Sequence, residues 1–149
     1  MTTIGIIDDH GIVLQGVSAV FASKKEFDVI FAINNLSEAN TTLEQTQPQV
    51  LFLDEPTVGI DAQSRHFILN TIHQLQQSGT TIVYTSHYME EIQSICDVLA
   101  IIDHGKLLLQ DTLASILQRA ETLPIAIAKK NAQRLEDFYL SLTNTALRD

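Results

Sequence analysis

The stretch Gln49–Arg65, QVLFLDEPTVGIDAQSR, decides how the rest of the chain is read. Its apolar run from Val50 to Leu53 has the pattern of a strand buried on both faces, and it ends in two carboxylates, Asp54 and Glu55. A strand of this kind delivers its acids to the C-terminal end of a sheet, where open α/β folds bind ligands. Working outward, Thr3–Ile7 repeats the device: a short apolar strand that stops at Asp8 and Asp9.

The remaining segments alternate. Val13, Val17, Val20 and Phe21 keep helical spacing after the first strand, and Phe27–Ile33 is rich in strand formers. Asn35 followed by Glu38 offers a helix start for the segment through Glu44. After the third strand, Asp61 is placed to cap a helix carrying Ile68, Leu69, Ile72 and Leu75, which Gly79 stops. Thr81–Thr85 is a fourth strand, Met89, Ile92, Ile95 and Cys96 mark a further helix, and Val98–Ile102 makes a fifth strand. Such repeated βα units predict one α/β domain over residues 1–149 with a mostly parallel sheet. The turn signal at Asp103–Lys106 then predicts a hairpin into Leu107–Leu109. Asp111 or Thr112 caps a helix with Leu113, Ile116 and Leu117, and a connector through Pro124 leads to a last amphipathic helix with Leu135, Phe138, Tyr139 and Leu142.

Composition narrows the functional classes. The 149 residues are 45% hydrophobic and 18% charged, enough for a true core. A formal net charge of -9 with no basic patch argues against nucleic acid or an anionic membrane surface as partner. The single cysteine, Cys96, forms no internal disulfide, and no apolar stretch approaches the roughly 20 residues that span a bilayer, so a cytoplasmic location is expected. His10, His66, His73 and His104 show no metal-ligand spacing.

Two resemblances divide the chain. Residues 1 to about 50, with IGIIDDHGIVLQGVSAVF and NNLSEANTTLEQTQPQV, resemble a response-regulator receiver domain of the CheY-like, LuxR-associated kind, Gly11 standing where that family usually has Pro. From about Leu51 onward the chain resembles the C-terminal part of an ABC-transporter ATP-binding subunit. LFLDEPTVGIDAQSR looks like its Walker B motif and D-loop, and TTIVYTSHYMEEIQSICDVLAIIDHGKLLLQDT carries a switch histidine at His87. The chain departs from the ATPase pattern in lacking the Gly-x-x-x-x-Gly-Lys-Ser/Thr loop, the Q-loop and the Leu-Ser-Gly-Gly signature.

The resemblances imply two sets of site residues. From the receiver side, Asp8, Asp9 and Asp54 would hold Mg²⁺, Asp54 would accept a phosphoryl group and Thr85 would be the switch hydroxyl. The receiver's Lys position falls near Asp103, with Lys106 three residues later. From the ATPase side, Glu55 would polarise the attacking water and His87 would assist it, both vestigial without a phosphate loop. The fold expected is a flavodoxin-like three-layer sandwich with a five-stranded parallel sheet in the order 2-1-3-4-5, although ABC ATPases place the switch-histidine strand between the phosphate-loop and Walker B strands. The reading that follows is an engineered chimeric scaffold, not an enzyme, needing no cofactor beyond an optional Mg²⁺. No partner is evident save a second copy through the C-terminal helices. Its alternatives are a natural gene fusion, an impaired receiver phosphorylated on Asp54, and an ATP-binding fragment.

Overall fold

The computed structural model describes residues 1–121 and 131–145, and these form two compact units, Met1–His87 and Tyr88–Asp149. The first unit is built on four parallel strands: β1 (Thr2–Ile7), β2 (Phe27–Ile33), β3 (Val50–Asp54) and β4 (Thr81–Thr85). Their order is β2-β1-β3-β4. Helices α1 (Gly11–Ala22), α2 (Leu36–Thr46) and α3 (Ala62–Gln77) make the crossovers. β3 pairs on both sides, Ile7 opposite Leu53 in β1 and Asp54 opposite Thr85 in β4, so the segments before and after residue 50 share one sheet.

Alternation along the strands sends side chains to two cores. Ile4, Ile6, Val50 and Phe52 pack with Leu14, Val17 and Phe21 of α1. Ile7, Leu51 and Leu53 face Ala39 and Leu43 of α2 and Ile68, Ile72 and Leu75 of α3. With both faces covered, β1 is buried from Ile4 to Ile7, which is why its sequence reads as a continuous apolar run. Gly5 has a further reason to lack a side chain: a Cβ there would lie 2.2 Å from the tip of the Phe31 ring, which fills the space beside it.

The second unit holds α4 (Met89–Ile95), β5 (Val98–Asp103), β6 (Lys106–Thr112), α5 (Leu113–Glu121) and α6 (Asn131–Thr145). β5 and β6 form an antiparallel hairpin through the expected turn, with His104 at φ +46° and Gly105 at φ +71°. Two positive-φ central residues twist the turn in the sense of the strands it joins. Asp111 and Thr112 both serve the start of α5, the first accepting from the Ser115 hydroxyl at 2.8 Å and the second from the Ser115 N–H at 3.2 Å. Ile116, Ala120, Leu135 and Phe138 form one buried cluster with Ile92 and Ile101, so the C-terminal helices spend these apolar residues inside their own unit. Cys96 packs against this cluster, and burial first, then the Asp97 charge, pushes its thiol pKa up. Pro124 lies outside the described residues.

The α/β class and parallel sheet agree with the sequence reading; the sheet size does not. It has four strands, not five, because β5 hydrogen-bonds to β6 in a separate two-stranded sheet.

The Gly5 packing yields a test. Gly5→Ala is expected to destabilise the protein by about 1–3 kcal/mol, the usual cost of overpacking. Phe31→Leu in the same chain should recover part of that loss, measured as non-additivity in a denaturant double-mutant cycle.

Candidate functional site

The C-terminal ends of β1, β3 and β4 supply the polar groups of the site. Because Asp54 and Thr85 are paired residues on neighbouring strands, their side chains leave the sheet on the same side. The Thr85 hydroxyl donates a hydrogen bond to the Asp54 carboxylate. Thr85 also receives the Glu55 N–H, through its carbonyl at 3.2 Å and its hydroxyl oxygen at 3.1 Å. These bonds hold Glu55 in the left-handed region at φ +41°, a conformation that L residues adopt at a cost of about 1–2 kcal/mol.

That backbone setting brings the Glu55 carboxylate to His87, with Nδ1 3.2 Å from Oε1. An ionised carboxylate can only accept, so the imidazole presents Nδ1–H to it. Both side chains are about half exposed, 46% for Glu55 and 58% for His87, so the pair is open to substrate and water. The loop then runs through Thr57, fully buried with its hydroxyl 3.4 Å from the Tyr84 hydroxyl, and Gly59 at φ +74°. Asp61 ends it by capping α3, accepting from the N–H groups of Gln63 and Ser64 at 3.0 Å each and from the Ser64 hydroxyl at 2.7 Å. Thr57 and Tyr84 were not singled out in the sequence; the small polar residue inside an otherwise apolar and turn-forming stretch was the available signal.

The acids of β1 form a neighbouring group. Asp8 is 2% exposed; its Oδ1 accepts from the His10 N–H at 2.7 Å, and its Oδ2 is buried with no hydrogen-bond partner. Asp9 Oδ1 lies 2.7 Å from His10 Nδ1. Among the described residues, the set close enough to share a metal ion is Asp8, Asp9 and His10. Asp54 follows the strand next to β1 but is engaged by Thr85. Asp103 and Lys106 lie in the hairpin of the second unit, where the Asp103 carboxylate is 3.0 Å from His104 Nδ1.

With this geometry in place, comparison with known proteins favours one of the two resemblances. The linearmycin resistance ATP-binding protein of Bacillus subtilis is 49% identical over 73 residues, covering 49% of this chain and 24% of its own. An energy-coupling factor transporter ATP-binding protein of Streptococcus pyogenes is 38% identical over 96 residues, covering 61% of this chain and 34% of its own. The C-terminal part of the chain is like that of ABC-transporter ATP-binding subunits. The chain therefore spans about a quarter to a third of the length of these relatives. A solved ATP-binding subunit of an ABC transporter shares the fold with a TM-score of 0.53 at 24% identity, over 65% of this chain and 37% of its own. No family model matches the chain.

These findings correct the sequence reading. The engineered chimeric scaffold and the receiver domain are both overturned, because the relatives are ATP-binding proteins and the C-terminal part of the chain is like them. The expectation that the chain is no enzyme is overturned by the same relatives, which are named as ATP-binding proteins. The exclusion of a membrane context also loses its footing, although among the described residues no helix is long and apolar enough to cross a membrane. The receiver likeness of residues 1 to about 50 receives no support from these comparisons.

The Asp61 cap carries a pH signature. Its hydrogen bonds, that of the Ser64 hydroxyl foremost, lower its pKa from the ordinary 3.8. A carboxylate with a depressed folded-state pKa adds stability above its unfolded value, and that contribution disappears as pH falls through the folded one. Asp61→Asn is therefore expected to flatten the loss of thermal stability below about pH 3.8 while leaving the neutral-pH fold intact, as followed by circular dichroism.

Proposed function

We propose that this chain carries the water-activating half of an ATP-hydrolysing site of the ABC-transporter type. The observation that carries the reading is the Glu55–His87 pair at 3.2 Å beside the Asp54–Thr85 hydrogen bond, on adjacent parallel strand ends. Glu55 is the base toward the attacking water. His87 holds one of its oxygens, leaving the other free to take the proton, and the left-handed backbone at Glu55 keeps the carboxylate turned to the imidazole.

Asp54 is the residue that would hold Mg²⁺, and the fit rests on its chemistry: a carboxylate oriented by a neighbouring hydroxyl, oxygen donors of the kind a hard cation takes. The ion would supply charge neutralisation at the nucleotide's phosphates. Residues 1–149 contain no Gly-x-x-x-x-Gly-Lys-Ser/Thr loop, so in this reading the phosphates are held by other groups. The printed names of the relatives are those of resistance and transport proteins, which supports work beside a membrane-embedded transport subunit.

Phosphate release from Mg²⁺-ATP measures the first claim. Glu55→Gln is expected to lower turnover by at least about a hundredfold, the usual contribution of a general base, while binding of the nucleotide persists. His87→Ala should lower turnover without removing binding. Turnover unchanged in Glu55→Gln overturns the assignment.

The metal claim has its own measurement. A Mg²⁺ titration followed by amide NMR should move the signals around Asp54 and Thr85, and Asp54→Asn should abolish those shifts. Shifts confined to residues 8–10 and lost in Asp8→Asn would instead place the ion at the β1 acids.

A further inference from the structure

At the opposite end of β3, about 13 Å from Asp54 by the rise of a strand, the structure opens a cleft of about 620 Å³ between α2 and α3. Its walls come from the last turns of both helices and from the loops that lead into β3 and β4. A narrower hollow of about 90 Å³ shares Leu43, Phe67 and Leu75 with it and is floored by Leu51, Leu53 and Ile72. The combined shape is a polar mouth over an apolar floor, within the size range of small-molecule sites.

The electrostatics of the mouth are one-sided. Two helix C-termini, each the negative end of a macrodipole, converge on it, and neither helix has a basic residue in its last turn. Among the described residues, Glu44 is the one charged residue of the lining, and it includes no Lys, Arg or His. Phe67 stands at the edge with 62% of its surface exposed, an aromatic face without a covering group. The whole chain carries a net charge of -9, so nothing in the wider field favours an anion.

From these features we infer that the α2–α3 cleft is a binding site for a small organic cation with an apolar body, such as an aryl or alkyl ammonium. The hydrocarbon part occupies the hollow above Leu51 and Leu53. The cationic head sits at the mouth, facing the helix C-termini and the Glu44 carboxylate, with the Phe67 ring against it. Phosphates and carboxylates are excluded by the same charges, which separates this site from the nucleotide chemistry at the other end of the strands.

Titration of the full chain with benzyltrimethylammonium, followed by amide NMR, tests the inference. Saturable shifts at Thr71, Gln74 and Gly79 are expected, weakening as salt is raised. Glu44→Gln should reduce affinity by about two- to fivefold, the scale of an exposed ion pair. Phe67→Ala should reduce it by a similar factor and Phe67→Tyr should retain it. Both positions are exposed, and an unchanged amide spectrum of each free variant establishes that the fold is intact. Benzyl alcohol and benzenesulfonate serve as the neutral and anionic counterparts. Binding of benzenesulfonate as tight as that of the cation, shifts outside the cleft, or affinity unaltered in both Glu44→Gln and Phe67→Ala would each overturn the site.

Discussion

Everything in the first unit depends on β3 being hydrogen-bonded along both edges. Pairing with β1 and β4 fixes the register in which Ile7, Leu53 and Tyr84 lie side by side, and that register places Asp54 opposite Thr85 one step later. Because side chains alternate, the same pairing decides which of the residues in β3 meet α1 and which meet α2 and α3. A slip of one residue would turn Leu51 and Leu53, exposed by 1% and 3%, toward the other layer and separate Asp54 from the Thr85 hydroxyl. Core packing and site geometry are thus consequences of one register.

Parallel strands also sort charge along the sheet. Crossover helices begin near the C-terminal ends of the strands and finish near the N-terminal ends, so the two ends of the sheet face helix termini of opposite sign. Asp8, Asp9, Asp54 and Glu55 cluster at the first end, where α1 and α3 start and the positive ends of their dipoles offset part of the carboxylate repulsion. The opposite end receives the C-termini of α2 and α3 without a compensating basic residue. The two ends of one sheet therefore differ in the sign of the helix termini they face, by the same topology.

Much of this was legible in the sequence because it is local. Apolar runs ending in acids marked β1 and β3, Asp61 marked the start of α3, and the Asp103–Lys106 turn marked the hairpin, each through the chemistry of a few adjacent residues. The order of the first four strands was also readable, from the preference of a βαβ unit for adjacent strands. The place of β5 was not: the turn announces its pairing with β6 along one edge, but its apolar residues do not say whether the other edge joins the parallel sheet. The engagement of Asp54 by Thr85 was equally hidden, since no local pattern says which of several carboxylates a neighbouring hydroxyl will choose. Short motifs shared by unrelated α/β proteins then drew the functional reading toward a chimera of receiver and ATPase fragments, because an apolar strand ending in Asp occurs in both families.

The residues of the two resemblances fall differently on the two units. Asp54, Glu55, Thr85 and His87 all belong to the first unit, held by bonds between β3, β4 and their immediate extensions. Asp103 and Lys106, the residues nearest to a receiver's cation position, belong to the other unit and are committed to its hairpin. In the first unit the carboxylate that follows Asp54 is turned by its left-handed backbone onto an imidazole, and this is the geometry on which the proposed water-activating role of Glu55 rests. The conformational cost at Glu55 is carried by two hydrogen bonds to Thr85, so the hydroxyl that orients the Asp54 carboxylate also fixes the backbone of Glu55. Coupling of the two acids through a single threonine makes the strand ends of β3 and β4 one chemical unit.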